Sequence, residues 1–210
     1  MSRIVVTQSP LIAMQAIADA ARYHPMWVGA EPLQTRVLLR VMAKLRDRYP
    51  DLERDRHHAL RLRRAGRASH YLVILRPRRG HSGGFWLLTS APDDAERWQD
   101  LRERDGRLTL RWWELVRHTR RGQASPAWTW RMRPDVRAEK LRQLDEAIAK
   151  RWDGWIADFC RSSMHWPGFA GIRGDHKLIM QHIRARWLRV RRDPCPELPF
   201  LPYVRRRSRT

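Results

Sequence analysis

The chain has 210 residues, 42% of them hydrophobic and 11 of them tryptophan, which is enough to bury a sizeable core and excludes wholesale disorder. Its 43 Lys+Arg against 22 Asp+Glu leave a net charge of +21, and every basic residue except Lys44, Lys140, Lys150 and Lys177 is an arginine. GC-rich coding explains arginine over lysine but not the excess of positive over negative, and such a surface attracts polyanions whose phosphates the planar guanidinium holds bidentately.

The first 50 residues read as helical. Leu11, Ile12, Met14, Ile17, Ala18 and Ala21 recur at helical spacing after Ser9-Pro10, a cap residue followed by proline at the first helical position. Leu33, Val37, Leu38, Val41, Met42 and Leu45 repeat the pattern before Pro50 closes it.

From 56 to 133 the period changes to two. Candidate strands are 58–64 (HALRLRR), 69–76 (SHYLVILR), 84–89 (GFWLLT), 107–117 (RLTLRWWELVR) and 127–133 (AWTWRMR), with a short helix at 92–104. The second and third are nearly continuous apolar runs, which predicts central strands covered on both faces. In AWTWRMR, Trp128, Trp130 and Met132 fall on the core parity, with Thr129, Arg131 and Arg133 on the other.

After Pro134 the helical period returns. Leu141, Leu144, Ile148, Trp152, Trp155 and Phe159 form one stripe, Trp166-Pro-Gly-Phe-Ala-Gly171 breaks it, and a last helix over 172–191 turns Ile179, Ile183, Trp187 and Val190 inward. These elements predict an α+β fold: an antiparallel sheet of about five strands with N-terminal and C-terminal helices packed on one face. A single domain spans 1–192 (1–50 helical, 56–133 sheet, 134–192 helical), and a basic Pro/Arg-rich tail occupies 193–210.

Three constellations point to phosphate. Arg61 and Arg63, Arg107 and Arg111, and Arg131 and Arg133 sit on the solvent parity of three candidate strands, a basic platform if those strands share an uncovered face, with Trp113 available to stack on a base. Arg78 and Arg79 flank His81 in the glycine loop RPRRGHSGG, where backbone amides can approach an anion. Arg173 and Lys177 lie near the start of the last helix, and Arg184, Arg189 and Arg192 continue along it.

Catalysis has less support. His81 and His118 are the candidates for a metal-independent endoribonuclease, which needs general acid–base groups beside a phosphate. No P-loop ending, H-E-x-x-H, G-x-S-x-G or C-x-x-C occurs, and neither metal nor cofactor is predicted. Cys160 and Cys195 are too few for a disulfide scaffold, the 10–21 apolar stretch is interrupted by Gln15 and Asp19, and no run is long enough to span a bilayer, so a cytoplasmic protein without membrane contact is expected.

The WTWRM and PGFAGIRG phrases, with the arginine- and tryptophan-rich composition, loosely resemble proteins carried by plasmids and integrative elements of GC-rich bacteria. The length, basicity and α+β pattern resemble the small RNA-processing subunits of CRISPR systems, whose C-terminal glycine-rich loop is absent here. The expected function is nucleic-acid binding, to RNA or DNA, as an accessory or assembly subunit of a mobile-element nucleoprotein complex with other subunits as partners. The alternatives are the endoribonuclease and a protein-interaction subunit without direct nucleic-acid contact.

Overall fold

A computed structural model describes residues 3–78, 83–119 and 125–202. The fold is α+β, and the chain divides into two compact units, one comprising Met1–Leu110 and Leu115–Trp128, the other Arg111–Glu114 and Thr129–Thr210. Among the described residues no helix is long and apolar enough to cross a membrane.

The first unit is built on a five-stranded sheet. Its strands are β1 (Ile4–Thr7), β2 (Met26–Leu33), β3 (His70–Leu75), β4 (Gly83–Thr89) and β5 (Gln99–Asp100), in the order β1-β3-β4-β2-β5. All neighbours are antiparallel except β1 and β3, which run parallel, so the sheet is mixed. As the apolar runs predict, β3 and β4 lie inside it, with Leu72, Val73, Ile74, Leu75, Trp86, Leu87 and Leu88 all buried. Burial on both parities requires cover on both faces. Helix α2 (Thr35–Arg48) supplies it on one side, where Leu38 and Leu45 join Tyr49, Leu52, Leu72, Ile74 and Leu87 in a core cluster. Helix α1 (Pro10–Ala20) packs on β1 and β3 with Ala13, Met14, Ala16, Ile17 and Ala20 buried, none of them in that cluster. Ser9 caps α1 and Pro10 opens it, as read from the sequence.

Three sequence expectations change in this unit. Residues 58–64 are helix α3 (Arg56–Arg64), not a strand: Asp55 caps it, its carboxylate accepting from the His58 amide at 2.8 Å, and five residues of alternation in strong helix formers do not outweigh that start signal. Residues 92–104 form turns and β5 instead of a helix, because the Asp93 side chain accepts from the Ala95 amide and from Trp98 Nε1 and so draws local backbone away from helical pairing. The N-terminal 50 residues, read as helical, also hold β1 and β2.

A second sheet has the order β6-β7-β8, from Thr109–Leu110, Trp113–His118 and Ala127–Met132. The 107–117 segment is two strands, since Arg111 adopts φ 56 in a turn between them. That turn resets the parity. Trp113 is buried at 6% exposure while Trp112 is 50% exposed, the reverse of the sequence expectation.

In the second unit, α4 (Pro134–Ala149), α5 (Asp153–Ser163) and α6 (Ala170–Val190) carry the C-terminal pattern. The predicted single stripe is split between α4 and α5 by Arg151, at φ 58, so Leu144, Ile148 and Phe159 are buried whereas Trp152 and Trp155 are exposed. Ile179, Ile183 and Trp187 face inward on α6, but Val190, at the helix end, is exposed. Trp130 and Met132 are fully buried, as the alternation of β8 predicts, but Trp128, expected on the same face, is half-buried and Thr129, expected outside, is buried. Gly171 lets α6 start against that strand: a Cβ there would lie 2.4 Å from the Trp130 carbonyl oxygen. Asp175 ties the two together, its carboxylate accepting from the Met132 amide at 2.7 Å and from Arg137 Nη1 at 2.6 Å.

Candidate nucleic-acid interface

The arginines expected on one face of three strands occupy different kinds of position, two of them on a helix. Arg61 is exposed and Arg63 half-buried on helix α3, where the Arg63 guanidinium lies 4.9 Å from the Tyr23 ring centre. Arg107 is half-buried ahead of β6 and Arg111 is exposed in the turn that follows it. On β8 Arg131 donates through Nε to Glu114 at 2.6 Å, and just past the strand, at the N-cap of α4, Arg133 binds Asp135 through Nη2 at 2.6 Å. The Glu114 carboxylate is nearly buried, so Arg131 completes a structural ion pair. Trp113, expected to stack on a base, is a core residue packed edge-on to Trp166.

Arg78 is exposed beyond β3, and Arg79 and His81 lie outside the described residues. His118 is exposed at the end of β7. Along α6 the structure does bring predicted residues together: Arg173, Lys177 and Arg184 line a cavity of about 400 Å³ with His176, Met180, Gln181 and the segment Leu198–Leu201. Arg189 and Arg192 are exposed farther along. His176 is part of the packing. Burial pushes its imidazole below the ordinary value, and because Ser163 Oγ donates to the Cys160 carbonyl, its Nε2 donates to that hydroxyl at 3.0 Å.

Sequence reasoning missed a larger cleft in the first unit. Its volume is about 660 Å³, and Arg22, Pro25, Arg102, Arg117, Pro126 and Trp128 contribute to its walls. Arg102 is neutralised by a two-oxygen contact from Nε to Asp100, at 2.9 and 3.0 Å. Arg22 and Arg117 are exposed and make no ion pair with a carboxylate among the described residues. The Arg117 guanidinium carbon lies 6.0 Å from the centre of the Trp128 ring. The cleft thus offers two unneutralised guanidinium groups, an indole and two prolines.

A buried polar network holds the rim that carries Arg22 and Pro25. His24 Nδ1 donates to the Ala20 carbonyl at 3.0 Å, so its Nε2 is the acceptor for Arg3 Nη2 at 2.7 Å, with Ser69 Oγ at 3.2 Å. Arg3 Nη1 continues to Asp51 at 2.8 Å, and Asp51 also accepts from the His70 amide and from His70 Nδ1, each at 2.8 Å. Burial favours the neutral acid of Asp51, but the His70 hydrogen bonds and the Arg3 charge outweigh it and hold the carboxyl below its ordinary value. His24 goes the other way: burial, with Arg3 adding to it against the Ala20 hydrogen bond, pushes its pKa down to about 3.

This depression has a measurable consequence. The unfolded chain takes up the His24 proton near pH 6.5 while the folded chain refuses it until about 3, so the stabilisation is complete above 6.5 and is lost as pH falls. Between pH 6.5 and 4.5 His24 is expected to remove roughly 2–3 kcal/mol, at about 1.4 kcal/mol per pH unit. His176 adds a loss of the same sign in the second unit. Urea unfolding of His24→Gln should show a shallower pH dependence than wild type over that window, and equal slopes would mean that the folded protein protonates His24.

Comparison with family models, curated proteins and solved structures returned no match. Among the described residues, no group of three or more His, Cys, Asp or Glu could hold a metal ion.

Proposed function

We propose that the protein binds nucleic acid through its phosphates, as a non-catalytic component of a nucleoprotein complex. The observation that carries this reading is the placing of Arg22 and Arg117, exposed and without carboxylate partners among the described residues, beside Trp128 in one cleft of a chain with net charge +21. Unneutralised arginine displaces condensed counterions from a phosphate backbone, and aromatic surface beside it suits bases. Lys177, Arg184, Arg189 and Arg192, exposed on or just after α6, provide a second set of cations in the other unit. His24, His70, His176 and His182 are bonded to Ala20, Asp51, Ser163 and Asp145, so a ribonuclease would have to draw its acid–base groups from exposed histidines such as His118.

The test is the salt dependence of binding. If about six phosphates are neutralised, log K should fall against log salt with a slope of roughly −4 for single strands and −5 for duplex. Slopes near zero for RNA and DNA alike would exclude the reading and leave a protein-interaction subunit.

A further inference from the structure

We propose that the cleft of the first unit is a slot for one unstacked nucleobase, inserted between Arg117 and Trp128 with a flanking phosphate on Arg22, so that the ligand is single-stranded. The proposal rests on the nucleic-acid reading above and narrows it to a class of strand.

Two guanidinium–indole pairs among the described residues differ in a way that points to a gap. Arg191 lies 3.9 Å from the Trp187 ring centre, a closed contact within a structural cluster where Arg191 also binds Asp153 and Asp193. The Arg117 guanidinium carbon stands 6.0 Å from the Trp128 ring centre, with no carboxylate holding it among the described residues and a cavity of about 660 Å³ alongside. Stacked bases are spaced by about 3.4 Å, so a base sandwiched between two planar groups needs them roughly 6.8 Å apart. With the guanidinium carbon 6.0 Å from the ring centre, the gap between the two groups is at most that and has to open by about 0.8 Å or more, a movement open to the rotamers of an exposed arginine. One face of the inserted base would meet indole and the other a guanidinium, the two platforms that single-strand binders use without regard to sequence.

The remaining walls fit the same ligand. Pro25 and Pro126 are rigid and apolar, suited to the faces of a sugar, and Arg22 supplies positive charge that no ion pair among the described residues absorbs. The cleft volume lies within the range of roughly 300–1,000 Å³ typical of small-ligand sites. A duplex keeps its bases stacked and paired, and extruding one is unfavourable, so it can offer this cleft only its phosphates.

The experiment compares two probes with the full chain: a fluorescein-labelled 12-nucleotide oligoadenylate, and an abasic 12-mer with the same phosphates and no bases. Fluorescence anisotropy should show the oligoadenylate binding more tightly. Trp128→Ala should weaken oligoadenylate binding by roughly 5- to 150-fold, the range that stacking of a base on an aromatic ring spans, while leaving the abasic probe unchanged. Trp128→Phe, which keeps an aromatic face and guards against loss of folding, should recover most of the affinity. Equal binding of the two probes by wild type would overturn the slot while leaving phosphate binding intact. A preference for oligoadenylate that survives Trp128→Ala would overturn it too, since the bases would then be held elsewhere. Failure of both probes to bind would remove the nucleic-acid reading and the slot with it.

Discussion

Asp51→Ala is expected to destabilise the first unit by about 3–5 kcal/mol, the cost of leaving a buried ion without its partner. The Asp51 carboxylate answers three donors: Arg3 Nη1, the His70 amide and His70 Nδ1. The Arg3 side chain is 5% exposed, so water cannot take the place of the lost carboxylate. Its other side-chain partner is His24, which is held neutral and offers no compensating charge. Urea unfolding of the variant should therefore show a greatly lowered midpoint. A loss below about 1 kcal/mol would mean that solvent reaches Arg3 and that the network does not hold the α1–β2 connection.

Trp130→Ala should cost the second unit a similar 3–5 kcal/mol, because removing a fully buried indole leaves a cavity that the surroundings fill only in part. The neighbourhood is rigid. The Gly171 backbone lies against the Trp130 carbonyl, and Asp175 fastens α6 to the next residue but one of the strand. A thermal-unfolding midpoint within about 2 °C of wild type would show that Trp130 is not a core residue, contrary to its zero exposure.

Local signals accounted for much of the fold. Ser9-Pro10 starts a helix wherever the following residues can bury one face, and they do. The apolar runs of β3 and β4 imply cover on both sides, and the alternation in β8 assigns Trp130 and Met132 to the core. The failures were places where local evidence is balanced or absent. Leu60 and Leu62 fit either period, and only the Asp55 cap decides for a helix. Strand β1 is four residues long, and β2 contains Gly29 and Pro32, residues that usually weaken a strand. The breaks at Arg111 and Arg151 use a left-handed backbone without glycine, so no residue announces them.

The candidate site was less legible than the fold. Parity on one strand says which side chains point outward but not which of them meet a carboxylate on the neighbouring strand, so Arg131 could not be told from a free cation without the position of Glu114. The cleft gathers Arg22, Arg102, Arg117 and Trp128 from separate stretches of chain, and no spacing rule links them. The C-terminal helix was the exception. Arg173 and Lys177 lie one turn apart and Arg184 two turns farther on, and helical periodicity alone sets them beside one cavity.

The salt titration of single-stranded RNA binding, run on wild type and on the double variant Arg22→Ala/Arg117→Ala, tests phosphate binding at the cleft most directly. Each phosphate contact to a single strand contributes about 0.7 to the slope of log K against log salt, so the double variant should bind more weakly at low salt with a slope shallower by about 1.4. Two superimposed lines with the same slope and affinity would contradict the account and assign the charge of this cleft no part in binding.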